Sequence, residues 1–517
     1  MENRSQWGTR LGFVFAAVGS AVGLGNIWRF PAEAYGNGGG AFFIPYLIAL
    51  LTAGIPILIL EFTLGHKYRG SAPLTYRRMN KKTEWVGWWA VIVAFVISTY
   101  YSVIIAWAVS YSIFSINLTW GDDTGDFLYN EYLHLPDVEG VFGGLVPGVL
   151  IPLIIIWVVV LGILFRGVKK GIEAANRIFI PTLLVVFLII VIRAVTLPGA
   201  IDGLEAFFKP DFSEILNYNV WVAAYGQIFF SMSIAFAIMI TYSSYLPKKS
   251  DITNNAFIVG FGNSSFELLA GIGVFAVIGF MALQSGVPVN EVVDGGVGLA
   301  FVVFPEIINN FPALNGFFGF LFFASLVLAG ITSLMSIIET YVAGLVDKFN
   351  ITRTKAVLFG GGLAALTSLV FATKGGLYFL DATDYFINQF GVAALGLVEV
   401  IVVCWILWKF GTIKKHANEV SDMRLGWWWN ISVGGITPII LGFMLYQLFR
   451  DNLLRKFDGE GNTTGNYEGY SDAFVLYSGW FVAGGALVLG IILSLISWKK
   501  SKEPDHVLED DDSEREA

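Results

Sequence analysis

The stretch Gly12–Tyr35 is long enough to cross a bilayer. Its centre nevertheless reads Gly19-Ser20-Ala21-Val22-Gly23-Leu24-Gly25-Asn26, with Arg29 and Pro31 close behind. Three glycines within seven residues make a continuous helix unfavourable there. In hydrocarbon an unpaired backbone group costs several kcal/mol, so irregular backbone persists only where it lines a cavity inside protein. A break at mid-depth frees carbonyls and N–H groups that can coordinate an ion or an anionic solute. The segment is therefore the first candidate for a transport site.

The rest of the chain fits a membrane setting. Of its 517 residues 56% are hydrophobic and 14% charged, the composition of a polytopic membrane protein. Twelve apolar segments of spanning length are expected, with approximate cores Leu11–Ala34, Ala41–Leu64, Val86–Ile116, Val149–Phe165, Ile178–Val195, Val220–Tyr245, Ile258–Leu283, Phe317–Val346, Ala356–Phe371, Tyr385–Trp408, Trp428–Leu448 and Phe474–Trp498. Lys67, Arg69, Arg77, Arg78, Lys81 and Lys82 lie between segments two and three, and Arg166, Lys169 and Lys170 between four and five. The loop after segment three is acidic: Asp122, Asp123, Asp126, Glu131, Asp137 and Glu139. The positive-inside rule then places both termini in the cytoplasm. Five acids fall within Glu509–Glu514, which argues against a nucleic-acid partner. The single cysteine, Cys404, excludes an intrachain disulfide. The four histidines form no metal-ligand cluster, and no nucleophile–base set or phosphate-binding loop is visible, so an enzyme is not expected.

Segment six contains Phe229-Phe230-Ser231-Met232-Ser233-Ile234-Ala235-Phe236. It lacks glycine, so a break is less obvious than in segment one, but two serines flanked by aromatics point to a polar patch at mid-depth. Segments one and six occupy the same place in two groups of five, and an odd offset inverts the second group relative to the first, the pattern of inverted-repeat transporters. The expected fold is thus an all-α membrane protein with twelve transmembrane helices. It comprises a 5+5 inverted repeat with broken helices 1 and 6, plus two extra C-terminal helices. The repeats would occupy 1–200 and 201–408, helices 11 and 12 would lie in 409–498, and 499–517 would form an acidic cytoplasmic tail.

Polar residues stand in apolar surroundings at Asn26, Glu61, Tyr101, Ser231, Ser233, Asn263, Glu267, Thr332, Ser333, Glu339 and Asp384. Interhelical hydrogen bonding, worth about 0.6 kcal/mol on average, accounts for single hydroxyls. Intramembrane ionisable groups are rarer and usually functional. Amide oxygens at Asn26 and Asn263 beside broken backbone suit a hard, weakly charged cation. Thr332-Ser333 after Ala329-Gly330 offers hydroxyls on a helix able to approach segment one closely.

Several blocks resemble one family, the neurotransmitter:sodium symporters, and within it the prokaryotic amino-acid transporters. They are Trp7-Gly8-Thr9-Arg10, Ala21-Val22-Gly23-Leu24-Gly25-Asn26-Ile27-Trp28-Arg29-Phe30-Pro31, Asn37-Gly38-Gly39-Gly40-Ala41-Phe42, Gly226-Gln227-Ile228-Phe229-Phe230-Ser231 and Ala329-Gly330-Ile331-Thr332-Ser333. The likeness runs from Arg4 to about Glu399. It implies a sodium-coupled symporter in the plasma (inner) membrane, importing amino acids by alternating access. A non-transporting amino-acid sensor of the same fold is the alternative. The oligomeric state stays open, a homodimer included.

The resemblance also implies two sodium sites. One would use the Ala21 carbonyl, Asn26, Ser231, Asn263 and the substrate carboxylate. The other would use the Gly19, Val22 and Ala329 carbonyls with Thr332 and Ser333. The substrate carboxylate would meet the Leu24 and Gly25 amides and Tyr101. Its amine would meet the Ala21 and Phe230 carbonyls and Ser233. Its side chain would touch Ile97, Phe230, Phe236, Ser333 and Ile337. Arg29 and Asp384 match the extracellular gate, and Arg4, Trp7, Tyr245 and Asp347 the cytoplasmic one. Gly23 stands where amine-carrying members tend to have aspartate, so the substrate should bring its own carboxylate. Glu267 stands where chloride-dependent members usually have serine, and its charge would replace the anion, so no chloride requirement is expected. A prokaryotic member has Gly-Phe-Gly where this chain has Ala235-Phe236-Ala237, and valine at the place of Ile97. The added methyls are expected to shrink the pocket toward small or aliphatic neutral side chains.

Overall fold

The computed structural model describes residues 5–293, 295–453 and 467–499. Among them no strand forms; two isolated bridges, Gly39 with Pro210 and Leu145 with Thr373, tie loops together. Among the described residues ten helices are long and apolar enough to cross a membrane, and a bent pair makes up to eleven. The bent pair is α1 (Arg10–Ala21) and α2 (Leu24–Gly36), inclined at 54°. Next come α3 (Gly40–Tyr68), α4 (Lys81–Asn117), α5 (Pro147–Phe165) and α6 (Val168–Val195). Two short helices follow, α7 (Tyr218–Ser231) and α8 (Ile238–Ser243). The remaining spans are α9 (Ile252–Ser285), α10 (Asn315–Phe349), α11 (Arg353–Ala372), α12 (Gly376–Ile406), α13 (Trp427–Arg450) and α14 (Asp472–Leu495). Arg4 and the acidic tail from residue 500 lie outside the described residues.

Burial separates a core from a rim. In α4, α9 and α10, 78% of the most apolar stretch is buried, against 28% in α6 and α14. A helix apolar all round but mostly uncovered by protein needs lipid as its solvent. The broken elements pack among the buried helices: α1 on α9 and α10, α2 on α9, and α8 on α3 and α10.

The break in segment one falls at Val22–Gly23, both extended, as the glycines predict. The break in segment six, Met232–Ala237, is longer than its sequence announces. It is made without glycine: Ser233, Ala235 and Ala237 take φ of 53°, 65° and 62°. An L-residue in that region carries a penalty of roughly 1–2 kcal/mol, so neighbours must hold the turn. The Ala235 N–H donates to Glu61 Oε1 at 2.6 Å. Ser233 Oγ donates to the Ser20 carbonyl at 2.9 Å, joining the second break to the first.

Two boundaries differ from the sequence reading for the same reason. Segment five begins at Val168, not Ile178, and segment ten at Gly376, not Tyr385. Lys169, Lys170 and Glu173 in one case, and Asp381 and Asp384 in the other, lower local apolarity. The helices continue because the acidic groups find partners. Buried Glu173 takes the Gly8 N–H at 2.6 Å and the Thr9 hydroxyl at 3.0 Å.

Candidate functional site

The two breaks face one cavity of about 70 Å³. Ser20, Ala21, Gly23, Leu24, Gly25 and Asn26 enter it from the first break, and Phe230, Ser231, Ser233, Phe236 and Ile238 from the second. Helix α4 contributes Ile97, Tyr100 and Tyr101, α10 contributes Ser333 and Ile337, and α12 contributes Asp384 and Asn388. Every residue expected to touch a substrate therefore lines this space. Ser20, Tyr100, Ile238 and Asn388 also line it and were not singled out in the sequence, where nothing marks them within apolar runs. Ala235 and Ala237 do not line it. Their methyls belong to the left-handed turn behind Phe236, which corrects the expectation that they narrow the cavity.

One end of the cavity is polar. Breaking the helix releases the amides of Gly23, Leu24 and Gly25 from the carbonyls four residues back; Gly23 N–H turns to Asn26 Oδ1, and those of Leu24 and Gly25 stand at the start of α2 where it lines the cavity. A helix N-terminus carries roughly half a positive charge, concentrated on such amides. Leu24 N–H lies 3.4 Å from Tyr101 Oη, so the hydroxyl and the helix start face the same spot. Gly25 has no alternative here: a Cβ would fall 2.5 Å from Phe230 Cε1. The other end is apolar, closed by Ile97, Phe236 and Ile337, each no more than 6% exposed.

Two sets of neutral oxygens flank the cavity. In the first, Gly23 N–H donates to Asn26 Oδ1 at 2.9 Å, Asn26 Nδ2 to Asn263 Oδ1 at 2.8 Å, and Asn263 Nδ2 to Ser231 Oγ at 2.9 Å. In the second, Ser333 Oγ lies 3.3 Å from the Gly19 and Ser20 carbonyls and 3.4 Å from that of Val22. Its one proton can serve only one of the three. Gly19 and Ser20 lost their helical donors when Gly23 N–H turned to Asn26 and Leu24 N–H to Tyr101. Thr332 Oγ1 donates to the Ala329 carbonyl at 2.9 Å on the same helix face. Among the described residues no cluster of three His, Cys, Asp or Glu could hold a metal. Uncharged oxygens of this kind suit a monovalent cation better than a divalent one, which favours carboxylates.

Glu267 lies one turn beyond Asn263 and is fully buried. Its carboxylate accepts from Gln227 Nε2 at 2.6 Å and from the Tyr46 hydroxyl, which also contacts Ser264 at 2.8 Å. Tyr46 was not visible as a partner in the sequence because it sits in the apolar run of α3.

The residues expected to form gates have different surroundings. Trp7 is buried against Tyr242 and Tyr245, its Nε1 donating to the Tyr242 carbonyl at 2.8 Å. The Tyr245 hydroxyl donates to Glu339 Oε1 at 2.8 Å, and Asp347 accepts from Ser71 N–H at 2.8 Å. On the other side Arg29 pairs with Glu33 at 3.5 Å and lies 4.6 Å above the Phe230 ring. Asp384 accepts from Asn388 Nδ2 at 2.8 Å.

A polytopic helical protein, with a cavity between two broken helices and sets of uncharged oxygens beside it, is the class that fold and site define. The model of the sodium:neurotransmitter symporter family matches residues 4–131 and 120–497. A sodium-dependent transporter of Methanocaldococcus jannaschii, described as uncharacterized, is 42% identical over 492 residues, covering 95% of this chain and 97% of that one. The human sodium- and chloride-dependent GABA transporter 2 is 29% identical over 458 residues, 81% of this chain and 75% of the other. The chain belongs to the sodium:neurotransmitter symporter family, as a multi-pass, sodium-dependent transporter.

Proposed function

We propose that this chain is a plasma-membrane symporter that imports small or aliphatic neutral amino acids with sodium by alternating access. The observation that carries the substrate class is the start of α2. Its amides and Tyr101 face a cavity whose opposite end is apolar, and Gly23 supplies no charge for a cationic amine. A carboxylate fits the polar end, and the ammonium group fits the carbonyls of Ala21 and Phe230 with Ser233. A cavity of about 70 Å³, closed at its apolar end by Ile97, Phe236 and Ile337, favours a small solute.

The first sodium would bind Asn26, Asn263, Ser231, the Ala21 carbonyl and the substrate carboxylate. The second would bind the Gly19, Val22 and Ala329 carbonyls with Thr332 and Ser333. The two breaks would make segments one and six equivalent halves of an inverted repeat, in a twelve-span protein with both termini cytoplasmic. Glu267 would supply the negative charge that chloride-dependent relatives take from solution. Uptake into proteoliposomes is the test, with a panel of labelled amino acids and an inward sodium gradient. Sodium-dependent uptake of alanine-sized substrates, and none of monoamines, is expected. Uptake of a monoamine, or uptake indifferent to sodium, would refute the reading.

A further inference from the structure

Asn388 lies between two cavities. It lines the central one with Asp384 and Tyr100, and it lines a smaller outer one of about 30 Å³ with Arg29, Phe229, Gln389 and Met444. Its orientation is determined by its neighbours. Nδ2 sits 2.8 Å from Asp384 Oδ1, 3.0 Å from the Asp384 carbonyl and 3.3 Å from Tyr100 Oη. Reversing the amide would set its oxygen against a carboxylate and a carbonyl, both acceptors. Oδ1 must therefore point the other way, where it is buried without a hydrogen-bond partner. A buried acceptor without a donor is uncommon enough to require a reason.

Arg29 is the nearby source of donors. It shares the outer cavity with Asn388, and its guanidinium rests on the Phe230 ring, which helps wall both cavities. Its side chain is 29% exposed, and its pairing with Glu33 is long at 3.5 Å. A guanidinium has five N–H donors, so most remain for other partners.

We infer that Asn388 is a positioning residue of the outer gate. Its Oδ1 accepts a hydrogen bond from Arg29 as that side chain leaves Glu33 and closes over the occupied cavity, and its Nδ2 holds the Asp384 carboxylate in line for the same guanidinium. The inference rests on the proposed alternating-access cycle and adds to it the group that receives Arg29. Asn388 then governs how long a bound solute stays shut in from outside. It has no part in sodium binding.

The test uses the full chain in nanodiscs, loaded with tritiated alanine in saturating sodium and chased with unlabelled alanine. Asn388→Leu keeps the side chain's branching and removes the acceptor. Asn388→Ala removes it without adding bulk. A hydrogen bond to a charged group carries about tenfold or more, so both variants should release label about tenfold faster. The half-saturating sodium concentration and the thermal midpoint should stay at parent values. In an Arg29→Ala background the Asn388 changes should add nothing, because the donor is already gone. Release at the parent rate by both variants, or rates that multiply in the double variants while Arg29→Ala alone is fast, would overturn the role of Asn388 alone. Absence of sodium-dependent alanine binding in the parent, or slow release by Arg29→Ala, would overturn the underlying cycle.

Discussion

The Asn26 side chain donates to Asn263 Oδ1 at 2.8 Å across 237 residues of sequence. Asn263 in turn reaches Ser231 at 2.9 Å. The amides thus link the start of α2 to the end of α7 through α9, and each broken element meets the other over the same buried polar chain. An ion bound there would feel both breaks, which is the physical requirement for coupling a cation to a solute held between them.

Asn26→Ala should weaken sodium-dependent substrate binding by roughly 5- to 150-fold. It removes an oxygen from the first cation set and leaves Asn263 without its buried partner, an effect of about 1–3 kcal/mol. A sodium titration of labelled substrate binding reads this directly. An unchanged half-saturating sodium concentration would show that the ion lies elsewhere.

The second oxygen set makes a different prediction. Ser333 lies 3.3–3.4 Å from carbonyls of the first break, and Thr332 bonds within α10. Replacing both with alanine should raise the sodium concentration needed for uptake. The order of preference among amino acids should change little, since Thr332 does not line the cavity and Ser333 is a small part of it. Reordered selectivity with normal sodium dependence would contradict the assignment.

Much of this site was legible in the sequence, and the illegible part has a physical cause. Gly19, Gly23 and Gly25 announced the first break because glycine is the residue that tolerates irregular backbone and close approach, here of the Phe230 ring. The second break carried no such mark. Ser233, Ala235 and Ala237 adopt left-handed backbone, and Glu61 and Ser20, distant in sequence, bond the turn at Ala235 and Ser233. Tertiary partners also extended segments five and ten past their apolar cores. Tyr46, Tyr100 and Asn388 escaped notice for a related reason: an isolated polar residue in an apolar run looks the same whether it faces a cavity, a buried carboxylate or another helix.

The cavity wall separates two substitutions that the sequence treated alike. Ile97 lines the space and is 4% exposed, whereas Ala235 does not line it. Ile97→Val should therefore favour bulkier aliphatic side chains over alanine, since a methylene in a tight pocket is worth roughly 1–3 kcal/mol of discrimination. Ala235→Gly should leave selectivity unchanged. Competition of labelled alanine with valine and leucine measures both. A selectivity shift from Ala235→Gly alone would show that the turn, and not Ile97, limits the size of the site.

On the proposed reading Glu267 takes the place of a mobile anion. It sits one turn from Asn263, fully buried, and is held by Gln227 and Tyr46. A buried carboxylate needs such donors, because an unpaired charge in a dry interior is strongly unfavourable. A negative charge there, near the asparagine pair, would offset a cation bound between them. Members of the family that depend on chloride usually have a serine in this place, and one relative of this chain carries chloride dependence in its name. Uptake by the unaltered protein should therefore be the same in chloride and in gluconate. Glu267→Ser removes the charge but leaves hydroxyls and the Gln227 amide, a set of donors able to hold an anion. That variant should transport in chloride and fail in gluconate. Strict chloride dependence of the unaltered protein would end the assignment, as would chloride-independent transport by the serine variant.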